Sequence, residues 1–217
     1  MKWNWNYVIE IFPVLLKVLP LVIGITCLSF LVALIAGLFL ALMKRSRSMM
    51  ISLPAKWIAE FIRSTPLIVQ LLVLFYALPL YGVSLSPFAA GVIGLGLHYS
   101  SYLSEVYRSG IDAVDRGQWE AATALNFTDR QKWLHIILPQ AVPPTLPVMG
   151  NYLIVMFKET PVLSAITFIE LLTTAKTLGS ASFRYIEAFT IVGLLFLFLS
   201  YFSSLIVKRL EQKFQRK

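Results

Sequence analysis

The chain has 217 residues, 58% of them hydrophobic and 14% charged, with a mean hydropathy of +0.74. An ordinary soluble domain is about 25% charged, so this composition excludes one, and no polar stretch is long enough to form a separate soluble unit. The net charge of +8 is read first as membrane topology and lipid contact and only second as nucleic-acid affinity; no nucleic-acid partner is expected.

The opening stretch MKWNWNYVIEIFP lacks a compact basic region followed by a short apolar core, so it does not read as a signal peptide. Its Trp3, Trp5 and Tyr7 suit a membrane interface, and residues 3–17 are expected to lie partly along it. Val18 to Met43 is an uncharged run of 26 residues, longer than the ~20 that a bilayer core requires. It is the first expected span, and Lys44, Arg45, Arg47 and Lys56 follow it. The next uncharged run, Ser64 to Ser104, is too long for one helix. Pro79, Gly82 and Pro87 divide it, with Ser86 as a helix cap and Pro87 at the first helical position. A second span near 62–80, bent by Pro66, and a third near 87–107 result. Residues 108–144 form a polar interlude. A fourth span is expected over 147–169, interrupted at Lys158-Glu159-Thr160-Pro161. A loop near 170–186 and a fifth span over 187–207 complete a single all-α transmembrane domain, 1–217, ending in the basic tail KRLEQKFQRK.

Five spans place the termini on opposite sides. With the N-terminus outside, the inner segments hold thirteen Lys and Arg and the outer segments four. That bias orients the chain N-terminus out and C-terminus in, and makes the polar interlude cytoplasmic.

Within the interlude, Asp115 and Gln118 have the spacing of a capping box that starts a helix over about 117–125. Asn126 stands where a left-handed residue should end it. Thr128 and Gln131 form a second box, starting a helix from 129 to about 137, before Pro139. Trp119, Ala122 and Leu125, then Trp133, Ile136 and Ile137, give each helix one apolar side. Packing on the protein's own membrane end explains Trp133, Ile136 and Ile137. The small pair Ala121-Ala122 behind Glu120 suggests close approach by another protein surface.

This segment resembles the EAA loop of ABC-importer permeases: Glu120-Ala121-Ala122, then Asn126 where that pattern has Gly, then Ile136, Leu138 and Pro139. Residues 63–70 (RSTPLIVQ), 102–111 (YLSEVYRSGI), 117–122 (GQWEAA) and 158–164 (KETPVLS) are similar to stretches of the polar amino-acid importer permeases. Ser64 replaces a usual Gly there, and Pro161 a usual Ser. The resemblance implies a type I ABC importer permease-like fold. It implies a coupling helix in which Gly117, Trp119, Glu120, Ala121, Ala122, Leu125 and Asn126 engage a separate ATPase. It further implies a second permease subunit, identical or similar, an extracellular or periplasmic solute-binding protein, an amino-acid substrate and a bacterial cytoplasmic membrane. ATP and Mg would reside on the partner, because the chain has no G-x-x-x-x-G-K-S/T loop of its own.

Lys158 and Glu159 are costly inside a bilayer, at roughly 2.5–3.5 kcal/mol per charge. Pro161 lacks an N–H and crowds the Phe157 carbonyl, so a kink with a free carbonyl is expected. Lys158, Glu159, Thr160 and Pro161 either line or gate the solute path, or pair at a helix or subunit contact. Glu60 and Arg63 can pair along one helix face, as an interfacial anchor. His98, His135 and the single Cys27 lack partners at metal-ligand spacing, and Gly91, Gly94 and Gly96 read as close helix packing. A stand-alone transporter or channel would leave the Glu120–Pro139 block idle, and an embedded enzyme would need an acid/base or nucleophile set that the spacing does not offer.

Overall fold

The computed structural model describes residues 2–215, without the side chains of residues 210 and 213–215; Arg216 and Lys217 of the basic tail lie outside the described residues. All regular structure among the described residues is helical.

The first helix, α1, runs Trp5–Lys44 for 40 residues, or ~60 Å at 1.5 Å per residue. Asn4 caps it, accepting from the N–H groups of Asn6 and Tyr7. Residues 5–17 are therefore not a separate interfacial segment: the helix continues through Pro13 and Pro20 into the apolar run. The Tyr7 hydroxyl donates to the Leu178 carbonyl at 3.0 Å, tying this extension to the rest of the chain.

The expected second span is two helices. α2 (Met49–Ser64) and α3 (Leu67–Leu72, continued by a π turn and a 3-10 turn to Tyr81) meet at 103° across Thr65-Pro66. Pro66 has no N–H for the carbonyl four residues back. The Gln70 side chain fills that place, donating to the Ile62 carbonyl at 2.7 Å and to the Thr65 carbonyl at 3.1 Å. Gly82, at φ +84, turns the chain back. α4 spans Pro87–Asp112, and the Ser86 hydroxyl accepts from the Ala89 N–H at 3.2 Å, as the Ser-Pro start predicts.

Three further expectations are corrected. The helix after Asn126 does not stop before Pro139. α6 (Asp129–Gln131) passes through a π turn (Lys132–Ile137) into α7 (Leu138–Glu159). Its wider winding relaxes the i to i−4 ladder just ahead of Pro139. The fourth span does not reach Ile169: α7 tightens into a 3-10 segment, Thr160–Ile166, and Thr167 reverses it at φ +61. The expected loop near 170–186 holds a helix, α8 (Leu171–Ser182), which leads into α9 (Tyr185–Gln215). Between α4 and α6 lies α5 (Arg116–Ala124).

Contacts fix the relative directions. Ideal Cβ atoms on Gly91 and Gly96 of α4 would fall 2.9 Å from Ile25 and 2.6 Å from Val32 of α1, and Lys44 meets Glu105, so α1 and α4 run parallel. The close approach at Gly91 and Gly96 agrees with their reading as helix-packing residues. Gly150 of α7 abuts Val207 near the end of α9, while Phe157 shares a core cluster with Ala188, Ile191 and Val192 near its start, so α7 and α9 are antiparallel. The Asn4 N–H donates to Glu187 at 3.1 Å, joining the starts of α1 and α9 at one end of the bundle. One core lies among α1, α3, α4 and α7 around Leu71, Leu95, Leu103 and Met156; a second joins α1, α8 and α9 around Leu15, Leu171 and Ala188.

By length and hydropathy, α1 and α9 could each cross a membrane, and the bent pairs α2/α3 and α6–α7/α8 bring the number to four. α4 is as long as a span but devotes His98, Ser100, Ser101 and Ser104 to the interior.

Candidate functional site

The hairpin α5–α6 hangs from the C-terminal end of α4. The Asp115 carboxylate accepts from the Gly117 N–H at 2.7 Å and starts α5. The reciprocal half of the expected box is absent: the Gln118 side chain instead accepts from Gln140 of α7 at 3.3 Å. Asn126 adopts φ +57 as expected. The Phe127 N–H donates to the Ala122 carbonyl and the Asn126 N–H to the Thr123 carbonyl, each at 3.0 Å, so the last turn of α5 ends in a closed Schellman pattern. At α6 the Thr128–Gln131 box is complete. Lys132 then crosses to the Thr123 hydroxyl at 3.1 Å, and Trp119 and Trp133 meet edge to face with centroids 5.3 Å apart.

The two apolar sides face each other and the chain's own helix ends. Trp119, Trp133 and Ile136 pack against Ile111, Val114, Ile137 and Ala141. Ala122 is 2% exposed, so its small size serves the hairpin's interior and not an outside partner. Gly117, Glu120, Ala121, Leu125 and Asn126 are exposed, and Trp119 is half-buried. Trp119, Glu120, Thr123 and Ala124 line a shallow depression on the outer face. The hairpin is thus held by its own caps and ring packing, and its outer face is exposed.

At the far end of α7, Lys158 and Glu159 part company. Lys158 is exposed, and neither residue makes an ion pair among the described residues. Thr160 is fully buried, and its hydroxyl donates to the Phe157 carbonyl at 2.9 Å. The carbonyl expected to be freed by Pro161 is therefore satisfied. Pro161, half-buried, opens the 3-10 segment.

Glu159 turns inward. Its Oε2 is the one buried side-chain N or O atom without a hydrogen-bond partner among the described residues. The carboxylate lies within hydrogen-bonding reach of the Tyr99 hydroxyl and within electrostatic reach of His98. Tyr99, Tyr102 and Tyr152 form a ring cluster, with centroids 5.8–6.1 Å apart. His98 adjoins it at 5.4 Å from both Tyr99 and Tyr102, and its Nδ1 is 3.3 Å from Gln70 Oε1. His98 is thus a hydrogen-bonded contact between α3 and α4. The tyrosines were missed from sequence. Positions 98, 99 and 102 share one face of a helix, which was readable; Tyr152 comes from α7 and only the tertiary fold adds it.

A charged network closes the hairpin end of the bundle. Glu105 accepts from Lys44 at 2.8 Å and from Arg108 at 2.8 Å, with Arg63 3.5 Å away. Arg63 also pairs with Glu60, as the sequence suggests, but its reach to α4 was not foreseen.

A helical bundle with apolar spans, an inward polar cluster and an exposed hairpin is consistent with a membrane transport component. The chain matches the model of the binding-protein-dependent transport system inner membrane component over residues 33–216, and it belongs to that family. It is 42% identical over 202 residues to the probable amino-acid ABC transporter permease protein y4tG of Sinorhizobium fredii (strain NBRC 101917 / NGR234), covering 93% of this chain and 87% of that one. It is 34% identical over 218 residues to the arginine transport system permease protein ArtQ of Bacillus subtilis (strain 168), covering 98% of each. A solved structure described as an amino acid ABC transporter with histidines superposes with a TM-score of 0.93 at 35% identity, over 98% of this chain and 100% of that one. A structure of the MetNI methionine ABC transporter shares the fold, with a TM-score of 0.80 at 17% identity, over 94% of this chain and 98% of that one. The chain is a permease subunit, and ATP hydrolysis belongs to a partner ATPase.

Proposed function

We propose that this chain carries a polar amino acid across the bacterial cytoplasmic membrane, as one of two permease subunits of an ATP-driven importer supplied by a solute-binding protein. The observation that carries the substrate side is the buried Glu159 oxygen without a partner beside three tyrosines. The Tyr99 hydroxyl can serve one oxygen of the carboxylate, but a buried charge also needs a cationic partner, and tyrosine faces attract cations; the ammonium group of an amino acid meets both conditions. Lys158 lies outside this cluster, so the path function falls to Glu159, with Thr160 and Pro161 setting its position.

Five crossings, N-terminus outside, follow if α4 counts as a span. Its polar side chains face the interior, so its low hydropathy is consistent with a helix that lines a path. The alternating directions of α1, α2/α3, α4, α7 and α9 support that count. The outer face of α5, with Glu120, Ala121 and Leu125, then lies in the cytoplasm as the coupling surface for the ATPase.

Reconstitution tests this reading. Proteoliposomes holding the chain with its ATPase and binding protein should accumulate a polar amino acid only with ATP. Transport by the chain alone, without the ATPase, would establish the stand-alone transporter instead.

A further inference from the structure

The charged network at the hairpin end encloses a pocket of about 400 Å³ lined by Lys44, Lys56, Glu60, Arg63, Glu105 and Arg108. Four cations face two carboxylates. Both carboxylates are occupied: Glu105 by Lys44, Arg108 and Arg63, and Glu60 by Arg63. Lys44, 8% exposed, is fixed at the pocket wall by Ser104 at 2.7 Å as well as by Glu105. Lys56 has no ion-pair partner among the described residues, and half-exposed Arg108 is shared with Asp112 at 3.4 Å. The pocket therefore carries surplus positive charge, with Lys44, Arg63 and Arg108 held in place and Lys56 beside them.

We infer that this pocket binds a phosphate-bearing anion, and that its source is the headgroup of an anionic phospholipid. Trp57, Ile58 and Phe61 on the same helix as Lys56 are 74%, 50% and 70% exposed, so an apolar surface for acyl chains adjoins the cationic pocket. Basic pockets between helices at the cytoplasmic end are suited to anionic headgroups, and an aromatic residue next to a lysine suits the headgroup boundary. The site lies on the hairpin side of the bundle and joins the α1 end, α2 and the α4 end. A bound headgroup would brace the elements from which the coupling hairpin hangs.

The test uses the purified permease–ATPase complex in detergent, titrated with phosphatidylglycerol and with phosphatidylcholine of the same chain length, bound lipid being counted by native mass spectrometry. Phosphatidylglycerol should bind more tightly, and Lys56→Gln should weaken it roughly fivefold, the effect of one cation at a lipid surface. Lys176→Gln, an exposed lysine on α8, should leave it unchanged. Failure of millimolar inorganic phosphate to displace the lipid supports the headgroup as the source. Displacement with the same dependence on Lys56 keeps the anion site but overturns the lipid as its occupant. Equal binding of the two lipids, or equal losses in the two variants, overturns the site itself.

Discussion

Glu159 and Asn126 show two ways in which one residue can depart from its ordinary setting. Glu159 holds a buried oxygen with no hydrogen-bond partner among the described residues and no ion pair, beside the Tyr99 hydroxyl, and a buried carboxylate is stabilised when a cation meets it. Glu159→Gln preserves shape but removes the charge. Solute uptake should fall at least tenfold, the scale of a lost charge-assisted hydrogen bond, with membrane abundance unchanged; uptake at the parent level would remove Glu159 from the path. Asn126 sits at φ +57, a conformation that costs most residues roughly 1–2 kcal/mol. Asn126→Gly should leave the hairpin intact, whereas Asn126→Val should open it and speed proteolytic cleavage between α5 and α6. Equal cleavage of both variants would contradict the turn's role. The turn could be read from sequence because Asn after an Ala-rich helix is a local signal. The polar cluster could not, since Tyr152 joins Tyr99 and Tyr102 only through the packing of α7 on α4.

Among the elements, those with local punctuation were legible and those without were not. Ser86-Pro87 announced α4, Thr128 and Gln131 announced α6, and Pro66 announced a bend in the second span. The bend is a full break, and Gln70 donates to the Ile62 carbonyl that Pro66 frees and to that of Thr65. α8 was hidden for the opposite reason. Its cap is Glu170, not one of the short side chains favoured there. The carboxylate accepts from the Leu172 and Thr173 N–H groups at 2.6 and 2.7 Å. At the other end Phe183 takes the left-handed conformation, φ +56, where Gly is usual. The continuity of α6 through α7 was hidden by Pro139, which reads as a stop until the preceding π turn is known. The α4–α7 seam supplies a further prediction. A Cβ on Gly110 would lie 2.3 Å from Thr145 Cγ2 and 2.7 Å from the Ala141 carbonyl oxygen. Because the second contact is backbone, the helices must separate. Gly110→Ala should destabilise the protein by roughly 1–3 kcal/mol, seen as a lower melting temperature in detergent. An unchanged melting temperature would mean that the seam has slack.

For the molecule as a whole, composition and charge bias were enough to indicate a helical membrane protein, because apolar length and basic loops are summed properties. The arrangement of its parts was not, because it depends on long-range contacts such as Lys44–Glu105 and Asn4–Glu187. Those contacts set the directions of the helices, and packing on Ile111, Val114, Ile137 and Ala141 holds the hairpin at the end of α4 with its outer face exposed. The central claim is that this face receives the ATPase and that solute movement requires it. Ala122 is unsuitable as a probe, since it is buried within the hairpin. Exposed Ala121 is suitable. The decisive measurement is ATP-dependent uptake by proteoliposomes containing the Ala121→Asp variant with its ATPase and binding protein. The account predicts a correctly inserted, folded permease whose uptake falls at least tenfold, as expected when a buried charge disrupts a protein contact. Uptake equal to that of the parent, with the ATPase still bound, would contradict it.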